Sequence, residues 1–185
     1  GGACGQVYAR NPEGFACKAL VCEEARPDPD GRYTIPRDAV CAAVRTGGDA
    51  WRMHPAGSRI DALPPDAKVR LFRVQRSMMA SKPGARHSPY ADILCPEAMR
   101  TFRTLVHDGH RNCLGDMFGK TIRFTFTDEP AVLSTRPPLR LTWTDDLADE
   151  FQRRKGYDLL GWLPELLSPI AAEEDPALTR ARVDF

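Results

Sequence analysis

With 185 residues and about two-fifths apolar side chains, the chain is long enough to bury one ordinary domain core. Its 26 Lys and Arg against 25 Asp and Glu leave a formal net charge of +1. No whole-molecule field recruits nucleic acid or an anionic membrane, and neither is expected as a partner. No apolar run approaches the roughly 18 residues of a membrane span. Six cysteines without a CxxC pair fit buried thiols better than a zinc ribbon or a disulfide scaffold.

The first readable elements lie between Lys18 and Arg76. Short runs of β-formers, Ala19 to Cys22, Arg32 to Ile35, Ala39 to Val44 and Val69 to Val74, alternate with Pro27 to Gly31, Thr46 to Asp49 and Pro64 to Asp66. The Pro, Gly and Asp of the latter favour tight turns, so this half predicts a small antiparallel β unit. After a loop over Ser81 to Pro89, the period changes. Ala98, Phe102, Leu105, Val106 and Gly109 recur at helical spacing behind Pro96, whose fixed φ suits a first helical turn. Gly119 closes that connection, and Thr121 to Thr127 follows as a predicted strand.

A second helix carries both its start and its stop. Thr142 or Thr144 serves as cap, Asp145 and Asp146 sit at the positive end, and Leu147 and Phe151 lie four apart. Arg153, Arg154 and Lys155 complement the negative end, and Gly156 is placed to terminate it. A short helical segment through Leu159, Leu160, Trp162 and Leu163 follows, with Asp158 as its cap.

Chemistry is concentrated at Thr125-Phe126-Thr127-Asp128-Glu129-Pro130, where the predicted strand ends in two carboxylates and a proline. In parallel α/β folds that end of a strand faces the ligand. Strand alternation puts Phe124, Phe126 and Asp128 on one face and Thr125, Thr127 and Glu129 on the other. If the aromatic face packs against helices, Glu129 points to the site and Asp128 to its rim or to a neighbouring strand. Adjacent strand residues point oppositely, so if two carboxyl groups act as a pair, the partner of Glu129 must come from another strand. His107, His110 and Cys113 recur at intervals of three, but that spacing drifts around a helix. Without a nearby fourth ligand no metal is expected.

The segment Tyr90-Ala91-Asp92-Ile93-Leu94-Cys95-Pro96-Glu97-Ala98, then Phe118-Gly119-Lys120-Thr121-Ile122 and Phe126-Thr127-Asp128-Glu129-Pro130, resembles the middle of large bacterial (β/α)8-barrel glycoside hydrolases. Trp143-Thr144-Asp145-Asp146-Leu147, Gly156-Tyr157-Asp158-Leu159-Leu160 and Trp162-Leu163-Pro164-Glu165-Leu166 extend the likeness to the α-L-rhamnosidase-like members of that group. It is clearest over residues 88 to 185. A complete barrel of this kind needs roughly 250 residues, so the resemblance implies an internal piece of a longer enzyme. Its implied layout is a start at residues 1–17, a β-rich insertion over 18–80 and a partial (β/α)8 (TIM) barrel over 81–185.

The resemblance further implies that Glu129 protonates the departing oxygen of a terminal sugar, with Asp128 and Trp143 near that sugar. The expected partner is a carbohydrate substrate, and the chemistry requires no cofactor and no metal. The isolated stretch, lacking the second acid, is expected to be inactive. The competing expectation is a carbohydrate-binding or structural piece without catalysis.

Overall fold

The computed structural model describes residues 2–76, 78–79, 88–126, 140–171 and 173–185. In chain order its elements are helices α1 (Ala3–Arg10) and α2 (Pro12–Phe15), then strands β1 (Lys18–Ala25), β2 (Tyr33–Thr34), β3 (Cys41–Arg45), β4 (Arg52–Pro55), β5 (Arg59–Ile60), β6 (Lys68–Arg76), β7 (Met78–Met79) and β8 (Ser88–Pro89). Helix α3 (Pro96–Arg103) continues through a π-helical turn, Thr104–Asp108, into α4 (Gly109–Leu114). Strand β9 (Arg140–Trp143) and helices α5 (Leu147–Lys155), α6 (Leu163–Leu166) and α7 (Pro176–Asp184) complete the chain.

These elements form two compact units interleaved in sequence: Gly1–Ala19 with Arg76–Thr135, and Leu20–Gln75 with Arg136–Phe185.

The second unit is built on a five-stranded sheet in the order β4-β3-β6-β1-β9. Strand β3 pairs antiparallel with both β4 and β6, in a register that sets Cys41 opposite Phe72 and Val44 opposite Val69. Because side chains alternate across a strand, each face gathers its own core. Leu20, Cys41, Ala43 and Phe72 face a helical layer that supplies Phe151, Leu159, Leu163, Leu166 and Ala181. Ala42 and Leu71 face the other way and pack with Ile35, Tyr33 and Ile60 beside the small ribbon formed by β2 and β5. Gly31 stands at a turn next to that ribbon with φ +73°, where an added Cβ would meet the Leu63 carbonyl oxygen at 2.7 Å. Only glycine fits both the left-handed backbone and that approach.

Helix α5 ends as its sequence predicts. Gly156 has φ +81°, and its N–H donates to the Gln152 carbonyl. Asp158 also caps as expected, accepting from the Leu160 N–H at 2.9 Å. The α5 start differs from expectation. The residue at its N-cap is Asp146, which makes no side-chain cap bond; Thr142 lies inside β9, and the Thr144 carbonyl accepts from the Leu147 N–H.

The first unit has a separate core in which Val7 of α1, Phe15, Ala91 and Ala98 of α3 are buried, with Met99, Phe102 and Leu105 packed around them. An antiparallel bridge of Ala16 with Ala91 ties the segments together, flanked by bonds from Cys17 N–H to the Tyr90 carbonyl and from Asp92 N–H to the Phe15 carbonyl. The helix predicted behind Pro96 is present and runs on through the π turn into α4.

The architecture corrects the expectation of a partial (β/α)8 barrel. A barrel of that kind is made of parallel strands joined by helical crossovers. Here the main sheet is antiparallel, in a small mixed α/β arrangement. The expected strand over Thr121–Thr127 also fails among its described residues. Ile122 makes one isolated parallel bridge with Phe118, and residues 123–126 join no ladder. Phe124 and Phe126 are 84% and 81% exposed, so the aromatic face expected to pack against helices meets solvent. β-propensity reports fit to a pleated, half-buried surface, and without a partner edge a run of β-formers stays extended but unpaired.

Candidate functional site

In the first unit, the π turn and α4 form one wall of an open cleft of about 590 Å³. The helical continuation from α3 gives it Val106, His107, His110 and Arg111, which recur at the three- and four-residue spacing of one helix face. Val106 and His107 belong to the π turn. Such turns are rare, and they recur at functional sites because the extra residue shifts the side chains that follow.

The opposite wall is the stretch from Gly115 to Phe126, which contributes Phe118, Ile122, Thr125 and Phe126. Its shape is set by a tight reversal. The Ile122 N–H donates to the Met117 carbonyl, and the Gly119 N–H donates to the Ile122 carbonyl at 2.9 Å each.

The imidazoles are held differently. His110 Nδ1 lies 2.6 Å from the Val106 carbonyl. A carbonyl oxygen only accepts, so Nδ1 is the donor of this contact and Nε2 is left to the cleft. His107 packs edge-on against Phe102, with ring centroids 5.8 Å apart. The cleft thus combines apolar rings, two imidazoles and the Arg111 guanidinium. That mixture suits a ligand with one apolar face and several hydroxyl or anionic groups.

Glu129 and Asp128, the two carboxylates singled out in the sequence, lie outside the described residues. Trp143 is in β9, 4% exposed within the core beneath the helical layer, where it packs with Leu20 and Phe151. Trp143 is thus a core residue of the second unit. Trp162 is half-buried against the same core.

No protein family, characterised protein or solved structure matches this chain.

Among the described residues no group of three or more His, Cys, Asp or Glu side chains is placed to hold a metal ion. His107 and His110 both line the cleft, and Cys113 is exposed. Nor, among the described residues, is any helix long and apolar enough to cross a membrane.

Sequence reasoning passed over Phe118, Arg111 and the two imidazoles as parts of one site. The signal was present in His107, His110 and Arg111, which share a helix face. Reading them as ligand-facing required knowing that the following segment folds back across that face.

Proposed function

We propose that this chain contributes Glu129 as the general acid in hydrolysis of a glycoside, with the cleft in the first unit receiving the sugar. The observation that carries this reading is that Thr125 and Phe126 line the cleft. They belong to the same Thr125-Phe126-Thr127-Asp128-Glu129-Pro130 motif, in which Glu129 follows Phe126 by three residues.

The chemistry of the lining supports a sugar. Pyranose C–H faces stack on aromatic rings, and Phe118 and Phe126 offer exposed ones. Arg111 and the imidazoles offer donors and acceptors for hydroxyl groups. Hydrolysis needs a proton for the departing oxygen and a second carboxylate to act as base or nucleophile. Glu129 is assigned the first role.

A second reading has one observation in its favour. Among the described residues that line the cleft there is no carboxylate. The cleft on that reading binds sugar without cleaving it.

The two readings separate in one experiment. Release of p-nitrophenol from a panel of aryl glycosides, α-L-rhamnoside included, is followed with the full-length protein and its Glu129→Gln variant. Loss of a general acid is expected to cost roughly two to four orders of magnitude in turnover. Activity unchanged in the variant removes Glu129 from the mechanism. Sugar binding with no turnover in either protein supports the binding reading.

A further inference from the structure

A second cleft, of about 540 Å³, lies in the other unit and shares no residue with the first. It sits at one end of the three central strands, on the face covered by helices. In β3 the residues on that face are Cys41, Ala43 and Arg45, and in β6 they are Phe72, Arg70 and Lys68, paired in that order across the ladder. Past Phe72 the face turns cationic. Arg45 and Lys68 stand directly opposite each other, and Arg26, just beyond the end of β1, lines the same cleft.

Like charges opposed across an antiparallel ladder destabilise it, so such a pair is a cost unless an anion offsets it. None of Arg26, Arg45 and Lys68 has a carboxylate ion pair within 4.0 Å among the described residues, although Glu24 lines the cleft. The guanidiniums are also held in place. Arg45 stacks on Trp51 at 4.5 Å from the ring centroid, and Arg70 stacks on the same ring at 4.8 Å. Arg70 is further fixed by donating to the Pro164 carbonyl at 2.7 Å and to Ser168 Oγ at 3.2 Å.

We propose that this cleft is a binding site for an oxyanion, a phosphate, sulfate or carboxylate group carried by a small molecule. Planar guanidiniums fixed by stacking lose little freedom on engaging an oxyanion, and they match its geometry through paired N–H donors. The cleft volume lies within the range of small-molecule sites, roughly 300 to 1,000 Å³. A net charge of +1 over the whole chain argues against a long polyanion as the occupant. The site stands whether or not the glycosidase reading holds.

Isothermal titration calorimetry at low ionic strength tests it, with inorganic phosphate, sulfate and glucuronate as probes and the full-length protein as receptor. At least one probe is expected to bind, and Arg45→Gln and Lys68→Gln are each expected to weaken it by roughly tenfold or more. Lys68 is exposed, so its substitution leaves the fold in place even if loss of the Arg45 stack on Trp51 does not. Binding of phosphate or sulfate without glucuronate identifies an inorganic-type oxyanion, and the reverse identifies a carboxylate on a sugar ring. No binding of any probe, or affinity unchanged in Lys68→Gln, overturns the proposal.

Discussion

Arg182 offers the sharpest test of how the helical layer is held to itself. From α7 it reaches under the end of α6, donating to the carbonyls of Glu165 at 2.8 Å, Leu166 at 3.0 Å and Ser168 at 3.1 Å. Its Nε donates to both oxygens of Glu174, at 2.9 and 3.0 Å. A cation at a helix C-terminus answers the unpaired carbonyls there. The two side chains are only 16% and 10% exposed, so water replaces few of these bonds.

Arg182→Met keeps the apolar stem and strips the donors. Glu174 loses its cation and keeps only the Thr179 hydroxyl. The Leu166 and Ser168 carbonyls lose this donor, while the Glu165 carbonyl keeps the Ser168 N–H. Breaking a buried pair by removing one partner costs about 3 to 5 kcal/mol. The residual exposure argues for the lower end, about 3 kcal/mol. Urea unfolding followed by fluorescence of Trp143 and Trp162, which belong to this core, measures it. With a slope of about 1 to 3 kcal/mol per molar, the midpoint falls by roughly 1 to 3 M. The double variant Arg182→Met with Glu174→Gln is expected to recover part of that loss, because the orphaned charge is gone. A midpoint within about 0.3 M of the unaltered protein refutes the reasoning, since so small a shift is worth under about 1 kcal/mol at that slope.

Further outcomes follow from the titratable groups and the turns. Burial first, then Asp158 and Cys22, push the Cys41 thiol up to about 12, and burial with Asp92 pushes Cys17 up to about 11. The thiolate is the reactive form, so a disulfide reagent at pH 8 is expected to label exposed Cys113 first and to reach Cys17 and Cys41 only on unfolding. Rapid labelling of Cys41 in the native protein contradicts its placement.

Glu150 is held down to about 2, against an ordinary 4.5, by hydrogen bonds from Arg153 and then Arg154. A depressed carboxylate contributes stability that is present above the unfolded value and is lost as pH falls from about 4.5 through about 2. Because the cluster is exposed, that contribution shrinks in salt. A carboxyl titration by NMR that gives an ordinary midpoint for Glu150 removes the cluster from the account. Gly156→Ala is expected to cost about 1 kcal/mol in thermal or urea unfolding, from the left-handed backbone it must adopt. A neutral result means that the α5 terminus is shaped otherwise.

Local signals were legible wherever one residue decides one piece of backbone. Gly156 at the end of α5, Asp158 capping the next turn and Pro96 opening α3 all act as their sequence positions predict. The strands β1, β3 and β6 were also legible, because their β-formers fill a sheet buried on both faces. What failed was tertiary. Whether Thr121 to Phe126 makes a strand depends on an edge to pair with, and Phe124 and Phe126 end in solvent. Arg140 to Trp143 pairs as β9 at the edge of the main sheet although a long stretch of chain separates it from β1. Nothing local in Arg140-Leu141-Thr142-Trp143 announces that neighbour. The cleft was hidden for the same reason, as its walls are far simpler in sequence than in the fold-back that joins them.

The proposed role of Glu129 as general acid is tested most directly by how the effect of its substitution depends on the leaving group. A general acid matters in proportion to how badly the departing oxygen needs a proton. Turnover of Glu129→Gln is compared with that of the unaltered full-length protein on a 2,4-dinitrophenyl glycoside and on a phenyl glycoside of the same sugar. Near-normal rates of bond cleavage are expected on the first, whose leaving group departs as an anion, and a loss of roughly two to four orders of magnitude on the second. Equal losses on both substrates, or none on either, contradict that role.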